Sequence, residues 1–262
     1  MKKRYQYRFS MEAYLSPAVD NHFFKLRVVP AENEFQRVVE SCLKIEPADS
    51  LNLRSKDSFG NNLQIGSCGF SHDRFEVLSE GIVEYSDYRL TDGQPDDLFS
   101  YPSALTYTNR EMNLWAHWVV SHAEGDFLLM VASLMQAVHQ HLTYEKNRTD
   151  NSTTAMDVFC LRKGVCQDYA HLMVAVCRAV GLKARYVNGL VVGEGETHAW
   201  VEVYDGERWK GFDPTNNREI DCGYDKLAHG RDVNDCPTNR GQFFSREYIQ
   251  EKLIINCEVK EI

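Results

Sequence analysis

No stretch of the 262-residue sequence approaches the ~18 uninterrupted apolar residues of a membrane-spanning helix. The sequence therefore predicts no helical span and no membrane partner. The N-terminus, MKKRYQYRFSMEAYL, starts basic but lacks the apolar core of a signal peptide. It alternates polar and apolar residues as a strand does, so a cytoplasmic protein is expected. Basic clusters are scarce: Lys2-Lys3-Arg4 is short, and 29 Lys+Arg stand against 38 Asp+Glu, for a net charge of −9. That balance excludes nucleic acid as the main partner. Eight cysteines occur, but no CxxC pair, so zinc-ribbon and thioredoxin-type motifs are absent. A disulfide framework is not expected in a leaderless chain of this size. The tightest histidine pair is His139-x-His141, and residues two apart on a helix point in different directions, a poor chelate. No calcium loop of the EF-hand type is present. The expectation is no metal and no cofactor.

What is present divides into two parts. Up to about residue 95 the runs are short, β-branched and aromatic: YQYRFSMEAYL, HFFKLRVVPA, FQRVVESCLKIEP, NLQIGSCGF and RFEVLSEGIVEYSDY. Turn clusters separate them. This predicts an antiparallel β-sandwich domain over 1–95. The polar stretch Thr91–Asp97, with Gly and Pro, marks the expected boundary. Over 96–262 the character changes. EMNLWAHWVVSH and DFLLMVASLMQAVHQHL carry apolar residues at three- and four-residue spacing and read as helices. Ser152, Thr153 or Thr154 caps a short helix through AMDVFCL. CQDYAHLMVAVCRAV reads as a helix over 166–180 that stops at Gly181. ARYVNGLVV, HAWVEVYD, RWKGFDP and a last strand, KLIINCEVKEI, follow. The fold class is α+β, with helices followed by an antiparallel sheet.

The helix from Cys166 holds the candidate chemistry. It is apolar or small around most of its circumference, which predicts a central, buried helix. Cys166 sits in its first turn, where unpaired N–H groups and the positive end of the macrodipole favour a thiolate. The same N–H groups suit a developing oxyanion, and Gly164 permits close approach of backbone or substrate. A thiolate nucleophile needs a base, and the base an orienting partner. His198 opens one strand and Asp213 ends the next. A hairpin through Asp205-Gly206 brings these two residues to one end of the sheet.

The segments GVCQDYAHLMVAVCRAVGLKARYVNG, THAWVEVYDGERWKGFDPTNN and LAHGRDVNDCPTNRG together resemble the transglutaminase-like superfamily. More closely, they resemble its bacterial members of the cysteine protease type, which carry an N-terminal β domain before a papain-like core. The resemblance implies Cys166 as nucleophile, His198 as base and Asp213 as orienting acid. It implies thiol-dependent acyl transfer on a peptide or protein substrate through a thioester. The leading expectation is hydrolysis, by a peptidase or amidase. A transglutaminase with an amine acceptor is one alternative, and a non-catalytic peptide-binding or scaffolding module is another. The other seven cysteines read as small buried hydrophobes. His171 reads as structural, and Asp168 as a dipole complement that also holds the loop before Cys166. Tyr144, Gln167, Trp115 and Trp118 are the open candidates for a further oxyanion donor. Asn216, Asn217, Arg231 and Asp232 either line the cleft or bond loop backbone.

Overall fold

The computed structural model describes residues 2–86, 96–245 and 247–262. The polar–apolar alternation at the N-terminus continues through one long strand, β1, Lys3–Leu26. Tyr5, Tyr7, Phe9, Met11, Ala13 and Leu15 point to one face and are buried. The runs YQYRFSMEAYL and HFFKLRVVPA are thus one strand, with an irregularity between Tyr14 and Val19. Four strands follow: β2 (Gln36–Glu46), β3 (Ser50–Lys56), β4 (Asn62–Cys68) and β5 (His72–Tyr85).

A short 3-10 turn (Asp97–Ser100) leads to α1 (Arg110–Val120) and α2 (Phe127–His141). Asn109 and Asp126 cap these helices with their side chains. Strand β6 (Thr143–Tyr144) precedes α3 (Ala155–Leu161), where Thr154 and Asp157 form a capping box. Strand β7 (Lys163–Gly164) pairs parallel with β6 and leads into α4 (Cys166–Ala179). Gly181, at φ +85°, follows the helix end, as its position predicts. Then come β8 (Ala184–Val191), β9 (Gly193–Gly195), β10 (His198–Tyr204), β11 (Trp209–Asp213), β12 (Arg218–Glu219) and β13 (Tyr224–Gly230). The chain ends with β14 (Asn239–Phe244) and β15 (Gln250–Glu261).

Two antiparallel sheets organise the molecule. The smaller has the order β12-β11-β10-β8-β13. The larger has β2-β5-β1-β15-β9 as its path, with β4 and β14 attached along the far half of β1 and β3 paired with β4. The expected N-terminal β-sandwich is replaced by this single curled sheet. β1 pairs with β5 and β15 over its first half and with β4 and β14 over its second. A strand shared by both halves joins them into one surface instead of two facing layers. The last strand, KLIINCEVKEI, lies in this larger sheet and not with the core strands: β15 pairs with β1 from Tyr5↔Glu261 to Ser16↔Gln250. Most of the Thr91–Asp97 segment lies outside the described residues.

The smaller sheet is covered on both faces. Ala199, Val201, Val203 and Phe212 pack with the apolar residues of α4, which the other helices surround. On the opposite face, Leu190, Trp209 and Leu227 pack against Tyr5, Tyr7 and Phe9 of β1. This double burial explains why β8 is buried on both faces over nearly its whole length. Among the described residues no helix is long and apolar enough to cross a membrane.

Gly189 of β8 is paired with His198 of β10. A Cβ there would stand 2.3 Å from both the Asp225 carbonyl oxygen and the Trp200 ring. Gly189→Ala is therefore expected to lower stability by about 1–3 kcal/mol, read as a shifted urea midpoint. An unchanged midpoint would show that this strand pair opens without cost.

Candidate active site

Cys166 is the first residue of α4, and the helix is buried from Asp168 through Arg178. Val165, in extended conformation, is its N-cap. The Asp168 and Tyr169 amides donate to the Val165 carbonyl at 2.8 and 3.2 Å. The two amides before them, of Cys166 and Gln167, belong to the helical turn that has no intrahelical acceptors. Asp168 is fully buried and grips the approach to the helix: its Oδ2 accepts from the Val165 amide at 2.7 Å and from the Thr149 hydroxyl at 2.6 Å. Burial pushes its carboxyl pKa up, against these two hydrogen bonds. The space that Gly164 leaves is filled by Asp168, since a Cβ at 164 would stand 2.5 Å from Oδ2. Close approach at Gly164 thus serves this side chain.

His198 and Asp213 meet at one end of the smaller sheet. The register Val201↔Phe212 offsets them by two residues, so the contact is diagonal. His198 Nε2 donates to Asp213 Oδ2 at 2.8 Å. Asp213 is fully buried, and four more donors surround it. These are the Thr215 amide (2.9 Å), the Asn216 amide (3.1 Å), Asn216 Nδ2 (2.7 Å) and the Tyr224 hydroxyl (2.8 Å). Burial alone would raise the Asp213 pKa; the His198 hydrogen bond and charge, with the other donors, bring it below the ordinary carboxylate value. His139 of α2 steadies the same turn by donating from Nδ1 to the Pro214 and Thr215 carbonyls at 3.2 and 3.1 Å.

With Nε2 engaged by Asp213, Nδ1 is the ring nitrogen left for the Cys166 thiol. Burial works to lower the His198 pKa, but hydrogen bonding to Asp213 and Cys166, and the charges of both, raise it to about 10. The thiol itself lies 3.9 Å from the Thr197 carbonyl oxygen. Cys166 and His198 open into a cavity of about 660 Å³. Tyr144, Gln167, Asn188, Glu196 and Leu253 are among its other lining residues. Lys146 and Glu196, also on its rim, form an exposed ion pair at 3.1 Å. Among the described residues no group of three His, Cys, Asp or Glu is arranged to hold a metal ion.

Of the four open oxyanion candidates, Tyr144 and Gln167 line this cavity. Trp115 packs instead on His141 and Phe159, and Trp118 is exposed on α1. Asn216 supports Asp213, Arg231 pairs with Asp235, and Asp232 accepts from the Asn234 amide, so these bond their own loops. Asn217 occupies a left-handed turn position at φ 51°. His171 is fully buried and accepts from the Val233 amide at 3.1 Å, and burial pushes its pKa down to about 4. Four of the remaining cysteines, 68, 177, 236 and 257, are buried as expected, whereas Cys42 and Cys160 are exposed. Sequence reasoning missed Thr149, His139 and Tyr224. Thr149 lies in the polar stretch TDNSTT before α3; the other two carried no local signal, because their partners are 75 and 11 residues away.

The family described as the transglutaminase-like superfamily matches residues 115–214. Residues 115–214 belong to that superfamily. The bacterial transglutaminase-like N-terminal region matches residues 4–84, so the superfamily core here is accompanied by its bacterial N-terminal region. An uncharacterized protein of Mycobacterium tuberculosis is 27% identical over 296 residues, covering 98% of this chain and 91% of its own. A protein-glutamine gamma-glutamyltransferase of Pseudomonas aeruginosa is 33% identical over 111 residues, covering 36% of this chain and 16% of its own. The fold is shared with the crystal structure of a candidate cysteine protease from Cytophaga hutchinsonii. Its TM-score is 0.82 at 21% identity, over 100% of this chain and 91% of that one.

The His198 environment has a thermodynamic consequence. Its pKa of about 10 in the folded chain exceeds the ordinary 6.5, so the folded state holds the proton more tightly. The resulting stabilisation is fully present below about pH 6.5 and is lost as pH rises through about 10. The difference in urea midpoint between the wild type and His198→Gln is therefore expected to shrink across that window. A difference that stays constant from pH 6 to 10 would contradict the assigned His198–Asp213 pairing.

Proposed function

We propose that this protein catalyses thiol-dependent acyl transfer on peptide or carboxamide substrates, with residues 96–262 carrying the chemistry. The supporting observation is His198 standing between the buried Asp213 carboxylate and the Cys166 thiol at the N-terminus of a buried helix. In this reading the Cys166 sulfur attacks the substrate carbonyl carbon, and the carbonyl oxygen becomes an oxyanion. The amides of Cys166 and Gln167 face that charge at the helix N-terminus. The intermediate collapses as the C–N bond breaks and the His198 imidazolium gives its proton to the departing amine. A thioester on Cys166 remains. His198, now neutral, takes a proton from water as the water attacks the thioester, releasing the acid and the thiol. Asp213 holds the ring orientation and stabilises the imidazolium throughout.

Hydrolysis is the leading reading, which makes the protein a cysteine peptidase or amidase. An amine in place of water gives a transglutaminase, and the partial likeness to a gamma-glutamyltransferase keeps that acceptor in the test.

At pH 7, iodoacetamide is expected to label Cys166 at least ~10-fold faster than the exposed Cys42 and Cys160. His198→Ala is expected to remove that advantage. Peptide mapping reads each site separately. Equal rates at the three cysteines would reject the acyl-transfer reading in favour of a binding module. Incubation with casein and a fluorescent primary amine then separates the acceptors: new termini mark hydrolysis, and label incorporated into casein marks transfer to the amine.

A further inference from the structure

We propose that the outer edge of β15 over residues 250–256 docks an extended segment of the substrate, which pairs there as an added strand leading into the Cys166 cavity. The proposal rests on the acyl-transfer reading above and names its substrate as unfolded or extended polypeptide, in preference to small amides.

The argument begins with the pairing of β15. Along one side it is matched to β1 over its whole length, Gln250–Glu261. Along the other side, among the described residues, β9 pairs only with Cys257, Glu258 and Val259. β9 shows that this edge accepts an antiparallel partner. Past Gly195 the chain leaves the edge through Glu196 and Thr197 to begin β10 at His198. The line of β9 along β15 thus continues, without a strand of its own, toward the catalytic histidine.

The side chains on this stretch fit a peptide. Leu253 and Ile255 are two residues apart, so they share one face of the strand. Both line the cavity that contains Cys166 and His198. Leu253 is 45% exposed, an apolar side chain left open at the rim. Free edges are usually blunted by charge, proline or a bulge. Here the run Leu253-Ile254-Ile255 is apolar, the charged Glu251 and Lys252 precede it, and its pairing with β1 is regular. Pro237, Thr238 and Asn239 line the same cavity. The cavity volume of about 660 Å³ falls in the usual range for ligand sites, roughly 300–1,000 Å³. Strand addition supplies main-chain hydrogen bonds for affinity, and alternate side chains entering the cleft supply selectivity.

The test compares probes on the full chain. An equimolar mixture of N-acetyl tetrapeptide vinyl sulfones of varied side chains is set against the same mixture bearing backbone N-methyl groups. In each, the Cys166 sulfur adds to the vinyl carbon to form a thioether, and the neighbouring carbon takes up a proton. The unmethylated mixture is expected to inactivate Cys166 about 10-fold faster, because methylation removes the donors of a strand pair. Leu253→Asp is expected to remove most of that gap, read as the ratio of the two mixtures' rates within the variant itself. Leu253→Ser serves if the aspartate variant fails to fold. Equal rates with the two mixtures, alongside fast iodoacetamide labelling, overturn the edge proposal and leave the activated thiol standing. Slow iodoacetamide labelling of Cys166 overturns the acyl-transfer reading and the edge proposal together.

Discussion

The constraint on which this structure depends is the all-round burial of α4. From Asp168 to Arg178 every residue is buried, with helices on one side and the smaller sheet on the other. A helix enclosed in this way satisfies its interior through its own hydrogen bonds, but its first turn cannot. That turn must meet a cap, water or a ligand. Here Asp168 secures the Val165 amide just before the helix, and the first helical residue, Cys166, opens to the cavity. The most buried element of the core thus delivers its unsatisfied end, and a thiol, to the open cleft.

The second half of the site depends on a carboxylate kept charged in the interior. Asp213 has no exposure, and an unpaired charge there would be costly. Five hydrogen bonds resolve this, drawn from its own turn, from Tyr224 on β13 and from His198. The charge in turn holds His198 protonated far above its ordinary range. Neither residue explains the other's state without it: the histidine stabilises the carboxylate as much as the carboxylate stabilises the imidazolium. His139 contributes from α2 by fixing the carbonyls that follow Asp213.

The larger sheet does more than stabilise the core. β1 runs through both of its halves, and the C-terminal strands β14 and β15 lie along it. The chain therefore returns to its beginning, and in doing so carries Leu253 and Ile255 to the wall of the cavity. One face of the smaller sheet packs on β1 and the other on α4, so the cleft lies where curled sheet, core sheet and helix N-terminus converge.

Local chemistry made much of this legible from sequence. Apolar spacing of three and four residues marked α1 and α2, an apolar run around most of the circumference marked α4, and the Ser152–Thr154 stretch and Gly181 marked helix ends, because amphipathicity and capping act within a few residues. The hairpin signal at Asp205-Gly206 was enough to bring His198 and Asp213 to one end of a sheet. The family resemblance added the roles. What the residues alone did not reveal was long-range. The continuity of β1, the return of β15 to it, the Tyr224 and His139 contacts to the Asp213 turn, and the open edge beside the cleft all join residues far apart in the chain. Pairing between distant strands leaves no mark on the composition of either strand. The types of the groups that meet at the cleft are therefore written in the sequence. Their partners, and the walls of the cleft, are decided only when the curled sheet, the core sheet and α4 converge.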